Sequence, residues 1–221
     1  MALANHLALL QTGLDELHAE LKQFISSRGS LHATTQFSLN DECLLEGILS
    51  RIWQTWCKFC RSCLFESCMG TVTASGRVIT PHPCATTAEH VSGAAIQARQ
   101  FRPGGVYWED TNSSIRKEPT WGDVDVLVDI VTRLSPINAS QLAAAFSTGW
   151  SSTKAIQKIR NASAHINIET MAEVQGLRPG YISFPIGHAT HALFWIETLT
   201  SDFLVSHAIA TMKTTATSSI Q

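Results

Sequence analysis

Charge is what this sequence has least of. Only 15% of its 221 residues are charged and the formal net charge is -2, so no strong overall field draws the chain to nucleic acid or to an anionic membrane. A local basic patch stays open. No apolar run approaches the length of a membrane span, which argues against a membrane partner. No internal repeat is visible, and no convincing carboxylate cluster. The opening residues, MALANHLALLQTGLDELHAELKQF, lack a basic stretch and are interrupted by His6, Asp15 and Glu16. They read as an amphipathic helix rather than a signal peptide. Six cysteines without a secretion signal point to free thiols in a reducing compartment, and the expected location is cytoplasmic.

What the chain does have is apolar periodicity. With 44% hydrophobic residues it can bury one substantial core. Leu7, Leu10, Leu14, Leu17, Leu21 and Phe24 keep a helical period over about residues 3 to 26, with Gly29 as a stop signal. A second helix is expected over about 44 to 68, with Asn40 or Asp41 as N-cap, Gly70 as terminator and a broad apolar face from Leu45 to Cys60. Further helices are expected at 123–134, 139–147, 152–165 and 188–212, the last with Leu193, Ile196, Leu199, Phe203 and Leu204 turned inward. Residues 70–120 differ. Gly, Pro, Thr and Ser cluster in TVTASGRVITPHP and FRPGGVYWEDTN, around one helix near 85–100 and a short hairpin. GLRPGYISFPIG is a second irregular stretch, and the Thr/Ser-rich residues 214–221 are expected to be disordered. The class is mainly α: one helical bundle domain over 1–213, with a long irregular insert.

Two clusters invite a metal reading. WCKFCRSCLFESC places Cys57, Cys60, Cys63 and Cys68 at spacings that zinc or iron–sulfur sites also use. Such ligands usually sit on converging loops, whereas this run lies inside a helix without Gly or Pro. Three-residue steps put the thiols along one face, where cysteine packs as a small hydrophobe. The core reading wins over metal and over redox chemistry. His188 and His191, in HATH, stand one turn apart but have no third ligand near in sequence, so a surface or capping pair is the simpler reading. No metal or other cofactor is expected.

The chemistry concentrates in KIRNASAHIN, residues 158–167. At about 100° per residue, Ala155, Ile156, Ile159, Ala162, Ser163 and Ile166 share one face, and Lys154, Lys158, Asn161 and His165 form a polar stripe opposite. Arg160 lies on the flank, about 140° round from His165. The set suits phosphodiester cleavage in RNA. A histidine with a pKa of about 6.5 moves protons at neutral pH. An arginine offers a permanent charge and a fork of donors to a phosphate gaining charge in the transition state. Asn161 can hydrogen-bond a phosphate or a 2'-hydroxyl, and Lys154 and Lys158 can hold the backbone electrostatically. With the 2'-hydroxyl as internal nucleophile, no metal is required.

RNASAH, residues 160–165, resembles the Arg–x4–His motif of the HEPN superfamily in its form with asparagine after the arginine. The resemblance covers six residues closely and extends to the helix-rich architecture; the 70–120 insert is no general feature of that family. It implies a HEPN-like helical bundle and a metal-independent endoribonuclease of a toxin–antitoxin or phage-defence system. It also implies a homodimer whose motif helices form a composite cleft, and an antitoxin as a possible partner. By the same resemblance Arg160 and His165 are the catalytic pair and Asn161 supports them. An acidic or polar residue on an earlier helix would approach the arginine; Glu42 and Glu46, one turn apart, are the candidates, against a bland role as first-turn carboxylates favoured by the helix dipole.

Two other readings stand beside this one. NASQLAAAFSTGWSSTKAIQKIRN also reads as a helix–turn–helix that would put Lys154, Lys158, Arg160 and Asn161 on a recognition helix, although the sparse basic residues argue against it. A helical interaction module without catalysis is the other, with His165 and Arg160 in structural roles.

Overall fold

The computed structural model describes residues 3–28, 31, 37–100, 107, 108 and 113–221. Gly29 and most of FRPGGVYWEDTN lie outside the described residues. The protein is mainly helical. Its long elements are α1 (Leu3–Arg28), α2 (Leu39–Met69), α3 (Ala88–Gln100), α4 (Val124–Leu134), α5 (Ala139–Thr148), α6 (Trp150–Ala164), α7 (Ile168–Gln175) and α8 (Leu204–Ser219). Two small antiparallel ladders accompany them. β1 (Thr71–Val72) pairs with β2 (Val78–Ile79), and β3 (Tyr181–Ile182) pairs with β4 (Ile196–Glu197). The chain divides into two compact units that interleave in sequence: residues 1–10, 56–150 and 214–221, and residues 11–55 and 151–213.

In the first unit the later half of α2 is the central element. Trp56, Phe59, Cys60, Cys63, Leu64, Phe65 and Cys68 are all buried along it, so the thiols of Cys60, Cys63 and Cys68 are core groups. Burial pushes Cys63 and Cys68 up to about 12, which leaves them protonated and unreactive at neutral pH. The Trp56 indole donates to the Gly122 carbonyl at 3.3 Å and meets Phe146 edge-on. α4 packs against α3 and α5. It is capped by Asp123, whose side chain accepts from the Asp125 N–H, and it ends at Ser135 in the left-handed region with φ 49. Pro136 follows, which cannot continue the ladder.

Within the 70–120 stretch the expected hairpin and helix are both present, as β1–β2 and α3. That stretch also supplies a buried carboxylate. Glu118 keeps only 5% of its side chain exposed, and accepts from Arg61 Nε at 2.6 Å and Arg61 Nη2 at 2.7 Å. Ser92 Oγ at 2.6 Å and Trp121 Nε1 at 2.8 Å complete the set. Burial alone would push this carboxyl up. The donated hydrogen bonds and the Arg61 charge outweigh it and hold the group below the usual carboxylate range. The Arg61 guanidinium also lies 4.0 Å over the Phe65 ring. One carboxylate thus ties α2, α3 and the 118–121 segment together.

The second unit takes the later part of α1 and the earlier part of α2. Leu14, Leu21 and Phe24 of α1 and Leu45, Ile48, Leu49 and Ile52 of α2 are buried there. Phe24, Phe37 and Phe194 stack at centroid distances of 5.6 to 5.9 Å. α2 begins five residues earlier than its periodicity predicts, because Ser38 and not Asn40 or Asp41 is the cap. The Ser38 N–H and hydroxyl both donate to Asp41 at 2.7 and 2.6 Å, and the Asp41 N–H returns to Ser38 Oγ at 3.3 Å. This is a reciprocal capping box. Asp41 is buried and also paired with Arg28.

Three expectations need correction. The single helix expected over 188–212 is instead a 3-10 turn (Ala189–Phe194), β4 and then α8. β4 spends its backbone hydrogen bonds on β3 and on an isolated bridge to Phe203. Leu199 is therefore 91% exposed rather than inward. α7 occupies a stretch for which no helix is expected. Residues 214–219 are not a disordered tail but the last turns of α8, with Ala216 and Ile220 buried and the Ile220 carbonyl accepting from the Ala74 N–H at 2.7 Å.

Two substitutions test these placements. Gly70 ends α2 with φ +88, and a Cβ there would stand 2.8 Å from Pro81 Cδ. Gly70→Ala is expected to lower unfolding free energy by more than about 1 kcal/mol in a denaturant titration; an unchanged midpoint would refute the strain. Arg61→Ala leaves Glu118 buried with half its donors gone, and a loss of about 3 kcal/mol is expected. Because the Glu118 pKa is depressed on folding, its contribution is fully present above the unfolded carboxylate pKa and disappears as pH falls through the folded value. The gap between wild type and Arg61→Ala should therefore close in acid, and a pH-independent gap would contradict the pairing.

Candidate functional site

α6 carries the candidate residues because its other face has nowhere else to go. Ala155, Ile156, Ile159 and Ala162 are buried at 1% exposure or less, and fully burying an isoleucine is worth about 1.5–3 kcal/mol. That fixes the rotation of the helix about its axis. Lys154, Lys158, Arg160 and Asn161 are then half-buried rather than fully solvated. Ile166, expected on the apolar face, is 62% exposed because α6 has already ended at Ala164.

Arg160 and Asn161 are joined directly. Arg160 Nη1 donates to Asn161 Oδ1 at 3.3 Å, and no carboxylate pairs with the guanidinium among the described residues. His165 stands just past the helix. Its N–H still closes a helical bond to the Asn161 carbonyl at 2.9 Å, but its ring is exposed and makes no hydrogen bond among the described residues. The backbone beneath it is held. The His165 carbonyl accepts from Thr170 Oγ1 at 2.7 Å and from Asn167 Nδ2 at 3.2 Å. Arg160 and His165 share no hydrogen bond within the chain.

Neither Glu42 nor Glu46 forms an ion pair with Arg160 among the described residues. Each is taken up by an imidazole: His191 Nε2 lies 3.1 Å from Glu42 Oε1, and His188 Nε2 lies 3.2 Å from Glu46 Oε1. The match is one of spacing, because an i, i+4 carboxylate pair on α2 meets an i, i+3 histidine pair on the 3-10 turn. Neither histidine has an acidic neighbour in sequence, so only the separately visible Glu and His pairs could have hinted at it. His188 Nδ1 accepts from the Thr190 N–H and hydroxyl at 3.3 and 2.8 Å. That leaves the proton on Nε2, where it donates to Glu46. Both histidines are buried, and Phe37 packs against the His191 ring at 4.6 Å. His188 caps the turn and His191 lies within it, and both are carboxylate-paired core residues rather than surface ones. Among the described residues no group of three or more His, Cys, Asp or Glu converges on a point that could hold a metal ion.

Against protein-family models, curated proteins and solved structures, the chain matches none. Function therefore rests on the residues themselves. Among the described residues no helix is long and apolar enough to cross a membrane.

The His191 pair makes a pH prediction. Burial lowers the His191 pKa below 6.5, and the attraction of Glu42 restores only part of it. The unfolded chain then takes up this proton at higher pH than the folded one. Its stabilising contribution is present above 6.5 and is lost as pH falls toward the folded value. Between about pH 7.5 and about pH 5.5, wild type should lose more melting temperature than His191→Gln. An equal loss in both would show that His191 titrates normally.

Proposed function

We propose that this protein is a metal-independent endoribonuclease of the HEPN type, acting as a homodimer in the cytoplasm as a toxin or phage-defence effector. The observation that carries the reading is the state of Arg160. It is a half-buried guanidinium linked to Asn161 and paired with no carboxylate among the described residues, five positions before an exposed imidazole that makes no hydrogen bond among those residues. A buried or half-buried cation without a counter-charge is costly, and a phosphodiester supplies the missing anion. The substrate's 2'-hydroxyl attacks the adjacent phosphorus and the 5'-oxygen leaves, giving a 2',3'-cyclic phosphate and a 5'-hydroxyl. His165 takes the proton from the 2'-hydroxyl or returns one to the departing oxygen. Arg160 and Asn161 meet the growing charge on the phosphoryl oxygens, and Lys154 and Lys158 hold the flanking backbone.

Two copies complete the site in this reading. Arg160 and His165 do not bond to each other in one chain, and Ile166 and Ile168, 62% and 89% exposed, offer apolar area next to His165 for a second copy. An antitoxin that masks the cleft is the natural restraint on such an activity. The helix–turn–helix alternative has less support, since Gly149 alone separates α5 from α6 where such motifs use a turn of about 3–4 residues.

Cleavage of single-stranded RNA in EDTA tests the proposal. Arg160→Ala and His165→Ala are each expected to lose about 100-fold or more in rate, while their melting temperatures stay near wild type. Full activity in either variant would overturn it.

A further inference from the structure

We propose that Asn167 and Thr170 are positioning residues for His165, gripping its backbone so that the imidazole stands at a fixed point beyond α6. This rests on the ribonuclease reading above. The last carbonyls of a helix have no partner within it, and an exposed histidine one residue past such an end would ordinarily fray with it. Here it does not. The His165 carbonyl receives the Thr170 hydroxyl at 2.7 Å and the Asn167 side-chain amide at 3.2 Å.

The same two side chains close the capping box that starts α7. The Thr170 N–H donates to Asn167 Oδ1 at 2.9 Å, and the Asn167 N–H donates to Thr170 Oγ1 at 3.2 Å. Thr170 Oγ1 has one hydrogen to give, and the His165 carbonyl at 2.7 Å is nearer to it than the Asn167 carbonyl at 3.2 Å, while the same oxygen accepts from the Asn167 N–H. The exit of α6 and the entry of α7 share one set of hydrogen bonds, and His165 is the residue clasped at their centre. Its ring makes no hydrogen bond of its own among the described residues. The anchor limits it to rotation about two side-chain torsions, and bound substrate settles those. Misplacing a proton-transfer group by about 1 Å costs on the order of 100-fold in rate, so a clamp on its backbone bears on kcat and not on substrate affinity.

The experiment compares Thr170→Val, which keeps the shape and removes the hydroxyl, with Thr170→Ser, which keeps the hydroxyl, and with Asn167→Ala. Each full-length variant is assayed for kcat and KM on one RNA oligonucleotide, and the His165 amide order parameter is measured by nitrogen relaxation. Thr170→Val and Asn167→Ala should lose about tenfold or more in kcat with KM little changed, and the His165 amide should become more mobile. Thr170→Ser should match wild type in all three readings. If wild type cleaves RNA and Thr170→Val cleaves it equally fast, the positioning role is wrong while the ribonuclease reading stands. If Thr170→Ser falls as far as Thr170→Val, the hydroxyl is not the anchor. If wild type cleaves no RNA, the ribonuclease reading and the catalytic part of this proposal fall together.

Discussion

The burial of one face of α6 is the constraint on which the candidate site depends. Ile156 and Ile159 are fully enclosed, with Ala155 and Ala162 beside them. Together the two isoleucines are worth several times the roughly 1 kcal/mol of a helix cap. Packing therefore sets the rotation of the helix, and the polar residues follow from it. Arg160 and Asn161 come to lie side by side at half exposure, and the chain leaves the helix at Ala164. The cap is weaker than the packing, but it decides what happens next, because it holds His165 where the helical ladder no longer can.

Several buried titratable groups elsewhere in the protein are paired. Glu118 collects donors from Arg61, Ser92 and Trp121, and His188 and His191 each face a carboxylate of α2. Those groups are satisfied, and they serve the fold. Arg160 has no charged partner and the exposed His165 ring no hydrogen bond among the described residues, whereas Arg28, Arg61 and Arg133 each pair with a carboxylate. That contrast supports reading them as groups reserved for a ligand.

The helices with regular periodicity were legible in the sequence, because one apolar residue per turn is a local signal. α1, α4, α5 and α6 fall within a few residues of expectation, and so do the thiols packed along α2. The start of α2 and the existence of α7 were missed for one reason: both depend on capping boxes, Ser38–Asp41 and Asn167–Thr170, that use an Asp or a Thr where glutamate is the usual mark. The segment from His188 to Leu199 misled by having the right apolar spacing for a helix. Its conformation is decided by pairing with Tyr181–Ile182, which no local pattern reveals. The Thr/Ser composition of residues 214–219 hid Ala216 and Ile220, whose burial holds the end of α8. Of the site, the residues on α6 could be named from sequence. The fate of Glu42 could not, since its partner His191 lies 149 residues away.

In the proposed reaction the substrate's own 2'-hydroxyl is the nucleophile, and this protein supplies only charge, hydrogen bonds and a proton carrier. The most direct measurement uses one RNA oligonucleotide in two forms, unmodified and 2'-O-methylated at the cleaved nucleotide, incubated with wild-type protein in EDTA. The first should be cleaved to a 2',3'-cyclic phosphate and a 5'-hydroxyl, and the second should not be cleaved at that position. Cutting of the methylated strand at the same bond, or products bearing a 5'-phosphate, would contradict attack by the 2'-hydroxyl.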